Sequence, residues 1–216
     1  MRFKAILLTL LSTFFLLPPR TSRGELPTPT PTAATETIVF VRHGEKPAKD
    51  LGQLNFQGLN RALALPEVLI GKYGKADVIY APGTHHRIPK NGIDYSYIRP
   101  LITIEPTAIR LGLPIDARFG YDETAALSEE LLSPARQGSL VFVAWEHVKL
   151  EQMVRAMVER MGGDAKAVPR WPSADFDSIY VVRIITEGGV RRVIFQVDHE
   201  GLDGMSTESP EPKRNR

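Results

Sequence analysis

TIVFVRHGEKP, residues 37–47, begins as an apolar run and ends in a cluster of charge. Ile38–Val41 reads as a β-strand, and Arg42, His43, Gly44 and Glu45 follow it without a break. A strand that surfaces into solvent ends this way. So does a strand that carries chemical groups to the edge of a sheet, and the remaining sequence has to choose between the two.

Outward from this stretch, short apolar runs alternate with helical patterns. Gln57–Tyr73 carries Leu59, Leu63, Leu65, Val68 and Leu69 at the spacing of an amphipathic helix. Asp77–Ala81 is a short strand, Arg99–Leu111 a helix, and Asp122–Leu132 a short helix. Ser139–Ala144 is an uninterrupted apolar strand of the kind covered on both faces in a parallel sheet. Val148–Met161 is a helix stopped by two glycines, and Ser178–Ile185 and Val190–Val197 flank TEGG as a hairpin. The alternation predicts a three-layer α/β/α sandwich with a mainly parallel sheet and an antiparallel hairpin at one side.

The chain has 216 residues, 43% hydrophobic and 24% charged, a balance that suits one soluble domain with a core of its own. It has no cysteine, which excludes disulfides, thiolate metal sites and cysteine nucleophiles. Residues 1–24 combine a basic start with the apolar run Ala5–Leu17 and read as a signal peptide or an N-terminal anchor, with small residues offering cleavage after Gly24 or after Ala34. The expected location is therefore secreted or periplasmic, with membrane contact only through an uncleaved N-terminal segment. Residues 25–35 form a Pro/Thr-rich linker, 36–204 the folded domain, and 205–216 a disordered tail. The formal charge of +2 belongs to the leader: without its four basic residues, 23 of the 27 remain against 25 acidic ones, a charge of −2. Nothing in that balance points to nucleic acid. Oligomeric state has no signal in the sequence.

In open α/β sheets, ligands bind outside the carboxyl ends of strands. Three such ends stand out, after Val41, Ala81 and Ala144, and each is followed within a few residues by histidine. Arg42 and His43 follow the first, Glu146 and His147 the third, and Arg99 opens the helix between them. Two arginines and two histidines converging there would form a phosphate-sized positive pocket, since the planar guanidinium fork suits phosphate oxygens. Histidine can attack phosphorus when one ring nitrogen is free. The plainer reading is a set of scattered strand-end polar residues.

VRHGEKP resembles the Arg-His-Gly signature of the histidine phosphatase superfamily, the phosphoglycerate-mutase-like fold. RPLITIEPTAIRLGLPI, residues 99–115, resembles that family's second-arginine segment, and LVFVAWEH, residues 140–147, its strand bearing the second histidine. The resemblance implies a phosphomonoester hydrolase acting through a phosphohistidine on His43. It implies Arg42, Arg99 and His147 as ligands of the phosphoryl oxygens. No metal or other cofactor is expected, because the arginines neutralise the charge. The partner would be a small phosphorylated substrate or a phosphoprotein. A phosphomutase and a non-catalytic phosphate- or phosphoprotein-binding module are the alternatives.

For the proton donor, the family pattern directs attention to Glu123 and then Asp122. The aspartate that another branch places after the second histidine is Val148 here. Glu146 is a further candidate, although continued strand alternation would turn it away from His147. Arg87 rivals Arg99 for phosphate, because a long loop separates Ala81 from Arg99. Trp145 reads as packing, with narrowing of the pocket or stacking on an aromatic substrate as the alternative. His85 and His86 read as loop residues rather than metal ligands, and His199 as a turn residue. Lys46 could touch a substrate phosphate, and Glu45 could orient Arg42 or His43. Specificity would sit in Pro82–Tyr97 and Arg118–Thr124.

Overall fold

A computed structural model describes residues 33–85, 87–90 and 92–210. The leader 1–24 and most of the linker lie outside the described residues. The elements are β1 (Ala34–Arg42), α1 (Phe56–Tyr73), β2 (Val78–Tyr80), β3 (Arg87–Lys90), β4 (Ile93–Ser96), α2 (Arg99–Leu111), β5 (Ile115–Asp116), α3 (Thr124–Leu131), β6 (Leu140–Trp145), α4 (His147–Arg160), β7 (Ser178–Glu187) and β8 (Val190–His199). Six strands form one sheet in the order β5-β2-β6-β1-β7-β8. The first four run parallel, while β7 joins β1 and β8 joins β7 antiparallel. Strands β3 and β4 form a separate two-stranded hairpin.

Layering follows from the period of two along each strand. Ile38, Phe40, Val141, Val143, Tyr180 and Val182 face one way and pack with Leu127 and Leu131 of α3 and Leu150 and Val154 of α4. Val39, Val41, Phe142, Ala144, Ile179 and Val181 face the other way and pack with Leu65 and Leu69 of α1 and Ile104 and Ala108 of α2. Both faces are covered, which is why β1 and β6 read as unbroken apolar runs rather than as alternating ones. The result is the expected three-layer α/β/α sandwich.

Register then fixes where the chain surfaces. Thr37 pairs with Leu140 and the ladder runs to Arg42 opposite Trp145, so β1 and β6 end side by side. The His43 amide extends the ladder by donating to the Trp145 carbonyl at 3.1 Å. The two histidine-bearing segments thus emerge at one sheet edge.

The loop expected between Ala81 and Arg99 carries the β3–β4 hairpin, and α3 begins at Thr124 rather than Asp122. The two-residue strand β5 is too short to show periodicity. Two linker residues, Ala34 and Thr35, belong to β1, paired with Thr186 and Ile185. The tail expected to be disordered is described as far as Pro210, and the Asn60 side-chain amide donates to the carbonyls of Ser206 and Glu208, both at 2.8 Å.

After β1 the chain passes very close to the start of α1. A Cβ on Gly58 would lie 2.3 Å from the Glu45 carbonyl oxygen and 2.6 Å from its nitrogen. Asn55 caps α1 there, its side-chain oxygen accepting from the Gly58 amide at 2.9 Å. No side chain fits at that crossing, and backbone on both sides leaves little room to yield. Gly58→Ala is expected to destabilise the protein by about 1–3 kcal/mol, read as a lower urea midpoint at unchanged m value. An unshifted midpoint would show that the strand-end loop and α1 do not make this contact.

Candidate active site

Arg42 is the last residue of β1 and is buried. Its Nη1 donates to the carbonyls of Ser173 at 2.8 Å and Asp175 at 2.6 Å, and its guanidinium lies 3.8 Å from the centre of the Phe176 ring. Burial pushes its pKa down to about 10, so it stays charged at neutral pH. Arg99 is buried at the N-terminus of α2, ion-paired with Asp50 and packed 4.4 Å over Tyr97. Thr103, one turn on, accepts from the Gly44 amide at 2.9 Å and donates to the Arg99 carbonyl at 2.8 Å. One hydroxyl thereby joins the two arginine-bearing segments.

His43 is only 2% exposed. Its Nδ1 lies 2.7 Å from the Gly44 carbonyl oxygen, which can only accept, so the ring proton belongs on Nδ1 and Nε2 keeps its lone pair. Burial, then the charges of Arg99 and Arg42, push its pKa down to about 3. His147 opens α4, with Nδ1 2.6 Å from Glu146 Oε1. Glu146 caps that helix by accepting from the Lys149 amide at 2.9 Å. Burial alone would raise its pKa, but the neighbouring His147 and hydrogen bonds from the amides of Lys149 and Val148 outweigh burial and hold it at about 2.

Arg42, His43, Arg99, Glu146 and His147 line one pocket of about 360 Å³, together with Lys46, Asp50, Tyr95, Tyr97, Tyr121, Ser173 and Phe176. Its basic groups and one unprotonated imidazole nitrogen fit a tetrahedral oxyanion. Among the described residues there is no group of acids and histidines arranged to hold a metal ion.

Arg42, His43, Arg99 and His147 are therefore brought together, while several expectations need correction. Glu123 and Asp122 do not line this pocket. Glu123 is exposed, and its carboxylate accepts from the Gly120 amide at 2.7 Å in the turn before α3. Asp122 is exposed on a neighbouring hollow with Arg87 and Tyr121. Glu146 does not turn away from His147, because β6 ends at Trp145 and strand alternation stops there. Arg87 is exposed on β3, paired with Asp94, and lies outside the pocket.

Glu45 orients neither Arg42 nor His43. It forms a buried fork-to-fork pair with Arg61, whose Nη2 is 2.7 Å from Glu45 Oε1. Arg61 also reaches Glu200 at 2.6 Å and Asp203 at 3.3 Å, tying the strand-end loop to α1 and to the chain after β8. Lys46 lines the pocket, held by Asp50 at 3.0 Å. Trp145 is core, its indole nitrogen donating to the Tyr121 carbonyl at 2.9 Å. His85 is exposed, His86 lies outside the described residues, and His199 is exposed at the end of β8.

No family model matches the chain, and no curated protein sequence does. Solved structures do. A protein carrying the provisional name phosphohistidine phosphatase SixA from Nakamurella multipartitia superposes with a TM-score of 0.50 at 18% identity, over 77% of this chain and 96% of its own. A mycobacterial glucosyl-3-phosphoglycerate phosphatase with inorganic phosphate gives 0.46 at 15% identity, over 74% of this chain and 95% of its own. A second protein provisionally named SixA, from Agrobacterium tumefaciens, gives 0.45 at 12% identity, over 74% and 97%. At 18% identity the likeness to the Nakamurella structure is one of fold, the three-layer α/β sandwich described above.

Because the folded state disfavours imidazolium, His43 binds fewer protons than an unfolded histidine between its lowered value of about 3 and the ordinary 6.5. Its contribution to stability is complete above that window and is lost as pH falls through it. The ring protons of His43 should accordingly show no titration in NMR spectra between about pH 5 and 8, the range in which free histidine changes charge. A midpoint near the ordinary histidine value would contradict the buried, neutral ring.

Proposed function

We propose that this protein is a phosphomonoesterase that works through a phosphohistidine on His43. The observation that supports this best is the state of the ring: its proton faces the Gly44 carbonyl, its other nitrogen carries a lone pair, and two buried arginines share its pocket. A nucleophile at phosphorus needs that lone pair, and the departing charge needs those cations.

In this reading Nε2 attacks phosphorus, the P–N bond forms and the P–O ester bond breaks, its electron pair leaving with the alcohol oxygen. Water then attacks the phosphorus, the P–N bond breaks and returns its pair to Nε2, and inorganic phosphate departs. Arg42, Arg99 and His147 donate to the equatorial oxygens through both steps. Catalysis of this kind is mostly positioning and charge stabilisation. The attacking water keeps its protons on the departing phosphate or passes them to solvent.

One observation favours a phosphate-binding module without turnover. Both pocket carboxylates are engaged, Glu146 by His147 and the Lys149 amide, Asp50 by Arg99 and Lys46. Neither is a ready acid for a poor leaving group.

Turnover of p-nitrophenyl phosphate, whose leaving group needs no acid, separates the two readings. The purified protein is expected to release nitrophenol, and His43→Ala to release none. Arg99→Ala should lower kcat/KM by about 10²–10³-fold, as for loss of a preorganised donor to a developing oxyanion, while Arg87→Ala leaves it unchanged. Phosphate binding with no turnover would establish the binding module instead. A collapse on Arg87→Ala with Arg99→Ala unaffected would mean that phosphate is held by a different arginine.

A further inference from the structure

Beyond the phosphoryl end, the pocket is walled by rings. Tyr97 packs edge-on against His43, centroids 5.9 Å apart at 78°. Tyr121 lies 5.1 Å from Tyr97, and Phe176 lies 6.2 Å from His43 on another side. Tyr97 is buried, whereas Tyr121, Tyr95 and Ile88 are half-buried and line the same pocket. Tyr121 is held in place by the indole of Trp145, which donates to its carbonyl. An aromatic lining thus runs outward from the imidazole to the rim.

Charge in the pocket is accounted for by one phosphoryl group. Besides the two arginines and His147, the lining holds among the described residues a single lysine, Lys46, already paired with Asp50. Lys149 sits 5.8 Å from the Tyr121 ring but is not part of the lining. A substrate with a second phosphate or a carboxylate on its organic part would find tyrosine and isoleucine there.

Leaving-group chemistry points the same way. Glu146 is engaged at 2.6 Å by His147 and at 2.9 Å by the Lys149 amide, and Asp50 is tied to Arg99 and Lys46. Glu123 and Asp122 lie outside the pocket. An alcohol oxygen that receives no proton from a carboxylate departs most readily when its anion is stable. A phenolate, with a conjugate-acid pKa of about 10, does so far more readily than an alkoxide.

We infer that this site takes a monoester whose single phosphoryl group is carried directly on a flat aromatic ring, an aryl phosphate, with the ring between Tyr121 and the hairpin residues Ile88 and Tyr95. The inference rests on the phosphatase reading above. The bond that breaks is P–O(aryl), its pair leaves with the phenolate, and solvent protonates the phenolate outside. A free aryl phosphate and a phosphotyrosine side chain share this chemistry. Comparing turnover of phenyl phosphate with that of a phosphotyrosine peptide tells a small-molecule source from a protein one, and preference for either over glycerol 2-phosphate supports the class.

Binding tests the ring without needing turnover. Benzylphosphonate and cyclohexylmethylphosphonate have the same charge and nearly the same bulk, and only one has a π-face. Calorimetric titration of the purified protein is expected to show the benzyl compound about two- to tenfold tighter. In Tyr121→Leu the ratio should approach one, with inorganic phosphate titrated alongside to show that the variant is folded; Tyr95→Leu serves if it is not. Equal affinities in the wild-type protein, with inorganic phosphate still binding, would overturn the aryl inference alone. Failure of inorganic phosphate and of both phosphonates to bind would remove the phosphate-site reading and this inference with it.

Discussion

His43 shares a buried pocket with the guanidinium groups of Arg42 and Arg99. A third positive charge there would be both desolvated and repelled, so the imidazole stays neutral down to about pH 3. The Gly44 carbonyl then selects the tautomer, because it can only accept. An unprotonated Nε2 beside two fixed cations follows from burial, Coulomb repulsion and one hydrogen bond. The positive field that would silence a basic histidine is the field that an oxyanion needs.

Such a pocket persists only if its walls are held. Arg42 is fixed by carbonyls of the segment before β7, Arg99 by Asp50, and Thr103 joins the Gly44 amide to the Arg99 carbonyl. Beneath them Arg61 gathers Glu45, Glu200 and Asp203 into one buried network. Removing one partner of such a network leaves an uncompensated buried charge. Asp50 and Leu51 adopt left-handed φ values of 70° and 51°. Backbone held in that region by non-glycine residues is found where surrounding structure over-determines it, commonly at functional sites.

The strand–helix order, the two-faced apolar strands and the meeting of Arg42, His43 and His147 at neighbouring strand ends are legible in the sequence through local periodicity and the strand-end rule, whereas Arg99 is set above Arg87 only by the family resemblance. The orientation of Glu146 is not legible, for a local reason. Period-two alternation stops at Trp145, where the chain turns into α4 and the glutamate becomes its cap. Glu123 is indicated only by the family resemblance, and in the structure it closes its own turn onto Gly120. Phe176 and the carbonyls that hold Arg42 lie about 130 residues from it, in a stretch with no periodic pattern. Nothing in the sequence foretells that contact. The aromatic wall is similar: Tyr95, Tyr97 and Tyr121 come from a hairpin and a turn whose approach depends on the folded sheet.

In the proposed mechanism Nε2 of His43 carries the phosphoryl group between two half-reactions. Rapid-quench mixing with a phosphorus-labelled aryl phosphate, stopped in alkali and followed by peptide mass mapping, tests it directly. The account predicts an alkali-stable, acid-labile phosphoryl group on the peptide containing His43, formed and lost at rates that match turnover. Turnover with no labelled enzyme, or with the label on His147, would contradict it.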